Sequence, residues 1–146
     1  LNEPQVMLAL YEASQAGVKV DLVVRGACTL RVGIEGISEN IRVRSVVGRF
    51  LEHHRIWWFG NDGTPDLYCS SADWLERNLL RRVETAFPIL NPECAQRVHQ
   101  EGLLNYLLDN QNAWEVQPDG SYAKCIAAEG EAPFSAQLSL LEGLYA

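Results

Sequence analysis

Apolar positions along this chain recur at two different periods, and the alternation between them predicts a mixed α/β protein. Val6, Leu10 and Ala13 follow helical spacing. Asn2 is the expected N-cap, with Pro4 in the first turn and Gln5 three residues after the cap, and Gly17 is the expected stop. In "VKVDLVVR" the alternating Val18, Val20, Leu22 and Val24 predict a strand that leaves Arg25 at its carboxyl end. Residues 26–40, with Gly26, Gly33 and Gly36, read as a long loop of the kind that often carries function. "NIRVRSVVG" predicts a second strand, Ile41, Val43, Ser45 and Val47 facing one way and Arg42, Arg44 and Val46 the other.

"HHRIWWFG" predicts a third strand, "DLYCSS" a fourth and "RVETAFPI" a fifth, with "NDGTP" as a turn between the third and fourth. Asp73 suits the N-cap of a helix after "SSADW". Asn91 and Pro92 open a helix with Ala95, Val98, Gly102, Leu103, Tyr106 and Leu107 on one stripe. Asp119-Gly120 marks a hairpin, and a last amphipathic helix starts near Phe134. The expectation is one α/β domain over residues 1–146, a mixed sheet flanked by helices, without internal repeats.

A chain of 146 residues can bury a core of its own. No apolar run approaches the roughly 20 residues of a membrane span. The chain starts at Leu1 rather than Met and shows no cationic leader with a cleavage site, so it reads as a piece of a longer protein without a signal peptide. Cys28, Cys69, Cys94 and Cys125 are widely spaced, with no Cys-x-x-Cys pair and no histidine at zinc-finger spacing. Packed thiols in a reduced, cytoplasmic protein are the expectation, with peripheral membrane association the furthest departure from it.

Charge changes the picture. The net charge is −7, yet residues 1–82 balance ten Lys/Arg against ten Asp/Glu. From Arg25 to Arg55 there are six arginines, no lysine and three acids. Arginine presents a planar fork that grips phosphate at two points, so a local anion site on an acidic chain is expected. Solvated surface arginines are the plainer alternative for any one of them.

Two clusters carry candidate chemistry. His53-His54-Arg55 stands at the start of the third expected strand, and "SSADW" closes the fourth, followed by "RNLLRRVE". Histidine serves as nucleophile, acid or base near neutral pH, and hydroxyls and arginine forks stabilise phosphoryl oxygens. Phosphoryl transfer suits that set. Arg25, His53, Arg55, Ser70, Ser71 and Arg81 are the candidate phosphate-binding residues, and His53 the candidate catalytic one. Strand parity puts His53 on the face of Arg55 and His54 on the face of Ile56. The alternatives are a hydrogen-bonded packing role for the histidines, strand termination by the serines and a solvated face at Arg81 and Arg82. His53, His54 and His99 have no clean metal-ligand spacing, and no glycine-rich loop fits a P-loop or dinucleotide fingerprint.

Three stretches resemble a known family. "ALYEASQAGVKVDLVVRGACTLRVGIEGISENIRVRSVVGRFLEHHRIWWFG", "YCSSADWLERNLLRRVETAFPI" and "LLDNQNAWEVQPDGSYAKCIAAEGEAPFSAQ" are similar to the C-terminal part of the long-chain polyphosphate kinases. The resemblance implies the second of two phospholipase-D-like domains, each a mixed sheet flanked by helices. It implies reversible transfer of the terminal phosphoryl of ATP to inorganic polyphosphate, with magnesium, through a phosphohistidine in the preceding domain. It assigns the histidine of "RFLEH", His53, and the arginine of "VRG", Arg25, to the nucleotide phosphates.

Implied partners are ATP or ADP, polyphosphate, the remaining domains of the same chain and a homo-oligomer, with no nucleic acid. The magnesium ligands are expected outside this segment, and the segment alone is expected to be inactive. The wider superfamily uses His-x-Lys, then Asp, then Gly-Ser-x-Asn. His53-His54-Arg55 and Ser70-Ser71-Ala72-Asp73 depart from that pattern, which disfavours a phosphodiesterase. A binding or assembly module without catalysis is the alternative from another class.

Overall fold

The computed structural model describes residues 1–144. Helix α1 (Pro4–Gln15) leads into strand β1 (Val20–Val23). Pro4 occupies the first turn as expected, but the cap is Glu3, whose carboxylate accepts from the Val6 amide at 2.8 Å. Asn2 instead accepts from the Glu76 amide at 3.2 Å and so ties the amino end to a later helix. Gly17 has φ of +84°, where a Cβ would be strained, and the Val18 amide returns to the Ala13 carbonyl at 3.0 Å. That left-handed residue is what ends the helix.

Strand β2 (Ile41–Val46) pairs with β1 in parallel, Val20 opposite Ile41. Residues 26–40 connect the two without a further helix or strand. β2 also pairs antiparallel with β6 (Ala113–Val116), which turns through Gly120 (φ +87°) into β7 (Tyr122–Lys124). This first sheet has the order β1-β2-β6-β7. Its alternation is as expected for Ile41, Val43 and Ser45, all buried, but the pattern stops one residue early: Val46 is buried and Val47 is exposed. The chain leaves the strand there, so parity no longer governs which side chain turns inward.

A second sheet, antiparallel, holds β3 (Ile56–Phe59), β4 (Asp66–Ser70) and β5 (Ala86–Pro88) in that order. One expected mixed sheet is thus two sheets. The turn between β3 and β4 places Asn61 and Asp62 in left-handed conformations, φ +43° and +50°, which Asn and Asp tolerate best among non-glycines. Helix α2 (Glu76–Arg81) follows β4 with Leu75 at its N-cap position, so Asp73 is not the cap.

Asn91 caps α3 (Pro92–His99) by accepting from the Cys94 amide at 2.9 Å. The expected single helix widens into a π turn at Gln100–Leu104 before α4 (Asn105–Leu108). Helix α5 (Ala136–Gly143) is capped by Ser135, close to its expected start.

Two apolar clusters hold these layers together. Leu30, Val32, Ile41 and Val43 pack with Val6 and Leu10 of α1. Val46, Tyr106, Ala113 and Ala136 join the first sheet to α4 and α5. A side chain such as Val43, 1% exposed, contributes about 1.5–3 kcal/mol by its removal from water. Trp58 stacks on His99 at 5.0 Å between ring centroids, which assigns His99 to packing of the second sheet. Among the described residues no helix is long and apolar enough to cross a membrane.

Candidate phosphate site

The connection from Val47 to Arg55 carries the two histidines and joins the two sheets. It is irregular throughout, because β3 begins only at Ile56. His53, His54 and Arg55 therefore precede the strand, and their directions are set by individual bonds.

Arg55 is the hub. Its Nε donates to Asp73 Oδ1 at 2.9 Å, and one terminal nitrogen donates to the His53 carbonyl at 2.9 Å. The same nitrogen stands 3.0 Å from His53 Nδ1, and the other lies 3.4 Å from Nε2. Guanidinium has donors only, so Arg55 sets donors against both ring nitrogens of His53, the closer being Nδ1. The Arg55 side chain is 17% exposed. It is a brace between Asp73 and His53 more than a free phosphate fork.

The Arg55 guanidinium holds the Asp73 carboxyl below its ordinary value, against an opposing push from burial, with Arg25 and His53 adding smaller attractions. Because the folded pKa is lowered, the stabilisation is complete above the unfolded value of about 3.8 and is lost as pH falls below it. Asp73→Asn is expected to flatten the fall of stability with pH in that acid range. Denaturant melts at a series of pH values from 2 to 6 check this, and an unchanged slope would argue against the pair.

Arg25 lies just past β1 and donates to the main-chain carbonyl of Glu52. It also borders a shallow depression of about 390 Å³ lined by Gly26, Ser45, Val47, Trp114 and Tyr122. Four more of the arginines expected to serve an anion are placed elsewhere. Arg31 reaches the Pro118 carbonyl, Arg42 pairs with Asp21 at 2.8 Å, and Arg49 lies over the Phe50 ring. Arg44, half-buried, binds Glu115 at 2.7 Å and caps the carbonyls of Tyr106 and Leu107.

The remaining candidates stand as follows. Ser70 Oγ donates to the Thr85 carbonyl at 3.1 Å and accepts from the Ala72 amide at 3.0 Å. Ser71 Oγ donates to Glu84 and accepts from the Thr85 amide at 3.0 Å. Both hydroxyl protons are engaged in joining the end of β4 to the start of β5. Arg81 binds Glu76 of its own helix at 3.0 Å and is largely exposed. The structure thus gathers Arg25, His53 and Arg55, and gives Ser70, Ser71 and Arg81 other partners.

His54 turns the opposite way from His53. Its Nε2 lies 2.9 Å from the Gly102 carbonyl, its Nδ1 lies 3.4 Å from Glu52, and its ring packs on Tyr106 at 4.9 Å. Beside this contact Gly102 makes room for Ile56: a Cβ there would sit 2.1 Å from Ile56 Cδ1. The sequence reading missed Asp73 as a partner of Arg55, and missed Glu52, Tyr106 and Gln137 around the connection. The only advance signal was Glu52 itself, an acid in the midst of "RFLEHHR".

Among the described residues no group of three His, Cys, Asp or Glu is placed to hold a metal ion. Magnesium takes an octahedral set of oxygens. The cluster around His53 offers Asp73, which is bound to Arg55, so these residues do not fit the ion.

Comparisons with known proteins cover the whole of this arrangement. The family model for the polyphosphate kinase C-terminal domain 2 matches residues 1–137. The polyphosphate kinase of Xylella fastidiosa (strain Temecula1) is 67% identical over 144 residues, 99% of this chain and 21% of that protein. That of Burkholderia multivorans is 60% identical over 141 residues, 97% of this chain and 20% of that protein. The crystal structure of polyphosphate kinase from Porphyromonas gingivalis superposes with a TM-score of 0.93 at 39% identity, covering 99% of this chain and 22% of that one. The chain spans about a fifth of the length of the relatives it matches. With its phospholipase-D-like α/β fold and its sequence in agreement, the chain belongs to the polyphosphate kinase C-terminal domain 2 family.

Proposed function

We propose that this chain supplies phosphate-binding groups to a polyphosphate kinase, which passes the terminal phosphoryl of ATP reversibly to inorganic polyphosphate. The observation that carries the reading is that Arg25 binds the Glu52 carbonyl next to His53 while Arg55 joins His53 to Asp73, at the junction of the two sheets. Residues 1–146 act as one domain, and a preceding domain of the same protein supplies the histidine that takes the phosphoryl. The bond from the terminal phosphorus to the ADP oxygen breaks as a bond to that histidine nitrogen forms. Polyphosphate then takes the group in a second displacement. A homo-oligomer of the full-length protein is the assembly we infer.

Each residue here has a distinct part. Arg25 offers its fork to the nucleotide phosphates. His53, its ring held by Arg55, donates a ring proton to a non-bridging oxygen of the moving phosphoryl. Arg55, itself braced by Asp73, fixes that ring. Such pre-placed donors act on charge that spreads over the phosphoryl oxygens in the transition state. The segment alone lacks the nucleophile, so it makes no polyphosphate.

Arg25→Lys in the full-length protein tests the reading. A point charge on a flexible stem does not reproduce a two-pronged grip. The KM for ATP is expected to rise roughly tenfold, about the effect of one lost charged hydrogen bond, with little change in melting temperature. Wild-type kinetics would make Arg25 a surface charge and remove the basis of the proposed site.

A further inference from the structure

The Val47–Arg55 connection has no ladder of its own, yet it must present Arg25 and His53 together. Glu52 is the point where three distant elements meet it. One carboxylate oxygen accepts from the Tyr106 hydroxyl of α4 at 2.7 Å. The other accepts from Gln137 Nε2 of α5 at 2.6 Å. The Glu52 main-chain carbonyl accepts from Arg25, at the end of β1.

Gln137 also binds Phe50 on both sides of its residue, accepting from the amide at 3.0 Å and donating to the carbonyl at 2.8 Å. Gln137 is buried. It reaches this position over Gly48, where a Cβ would stand 2.2 Å from Gln137 Oε1. Burial and the neighbouring Glu52 carboxylate push the Tyr106 hydroxyl well above its ordinary value, so it remains a donor.

We propose that Glu52 is a positioning residue for the phosphate site: its carboxylate, held by Tyr106 and Gln137, sets the peptide carbonyl that orients Arg25 and the adjoining His53. The proposal rests on the reading of Arg25 and His53 as phosphate-binding groups and adds the device that holds them. A carboxylate serving only stability needs donors. It does not need its own carbonyl aimed at a cation that belongs to the site. Removing the Glu52 side chain leaves the Tyr106 hydroxyl without its acceptor and Gln137 with only the Phe50 carbonyl, and frees the connection to shift.

The experiment is a mutant cycle in the full-length protein, reading the KM for ATP, kcat and melting temperature. Glu52→Ala is expected to raise KM roughly tenfold, in line with losing the alignment of one charged hydrogen bond. In an Arg25→Ala background the same substitution is expected to change KM by less than about threefold, because residues acting through one contact are not additive. Additive losses, or a lowered melting temperature with unchanged KM, would overturn the proposal while leaving the site intact. Unchanged KM in Arg25→Ala alone would overturn the site and this proposal with it. Should Glu52→Ala fail to fold, Tyr106→Phe keeps the ring and removes only the donor. A rise in KM that vanishes in the Arg25→Ala background supports positioning, and an unchanged KM refutes it.

Discussion

Polyphosphate synthesis by the full-length protein is expected to fall roughly 10²–10⁴-fold in His53→Ala, the usual worth of a positioned proton-bearing group. His54→Ala is expected to retain activity within a few fold. The contrast comes from what each ring touches. His53 is exposed, and its ring is held by the Arg55 guanidinium. His54, also exposed, has Gly102, Glu52 and Tyr106 as its neighbours. Its loss removes packing and one hydrogen bond, a stability effect on the order of 1 kcal/mol. Steady-state rates beside melting temperatures for both variants separate the two roles. An inactive, folded His54→Ala next to an active His53→Ala would reverse the assignment.

Gly102→Ala is expected to destabilise the protein by about 1 kcal/mol, although alanine is the better helix former. Two effects oppose each other. Replacing glycine inside a helical turn favours the folded state by about 1 kcal/mol. Against that, the new Cβ would stand 2.1 Å from Ile56 Cδ1, with His54 Cδ2 only 3.8 Å away. Overpacking of this kind costs about 1–3 kcal/mol, and here it also pushes the Gly102 carbonyl off His54.

Steric conflict therefore outweighs propensity. Ile56→Val deletes the clashing carbon, so the double variant Gly102→Ala/Ile56→Val is expected to recover most of the loss. Chemical denaturation of the two single variants and the double one measures this. A double variant no more stable than Gly102→Ala would show that the π turn, not Ile56, demands the glycine.

Much of the local architecture was legible because its causes are local. Gly17 ends α1 through its own backbone, Asn91 and Pro92 start α3 within one turn, and Gly120 closes its hairpin. The alternation from Ile41 to Ser45 marks a half-buried strand without reference to any partner. Family membership was legible too, since long stretches on both sides of the site carry it.

The failures share one physical reason: hydrogen-bond partners far apart in the chain leave no periodic trace. Nothing near Arg44 shows that it caps carbonyls at Tyr106 and Leu107, so it looked like Arg25. Arg55 resembled a free anion fork until Asp73, eighteen positions away, took its Nε. Ser70 and Ser71 looked available until β5 returned Glu84 and Thr85 beside them. Strand parity does not govern His53 and His54, because both lie outside the strand; Arg55 is the partner of one and Gly102 of the other.

By itself the sequence determined most of the elements, the fold class and the candidate phosphate-binding residues, because periodicity, caps and charge are written in neighbouring positions. Which of those residues face one another was decided by tertiary structure. Two sheets and the helices α4 and α5 close on a connection with no ladder of its own, and only that closure supplies the partners that hold each side chain in place.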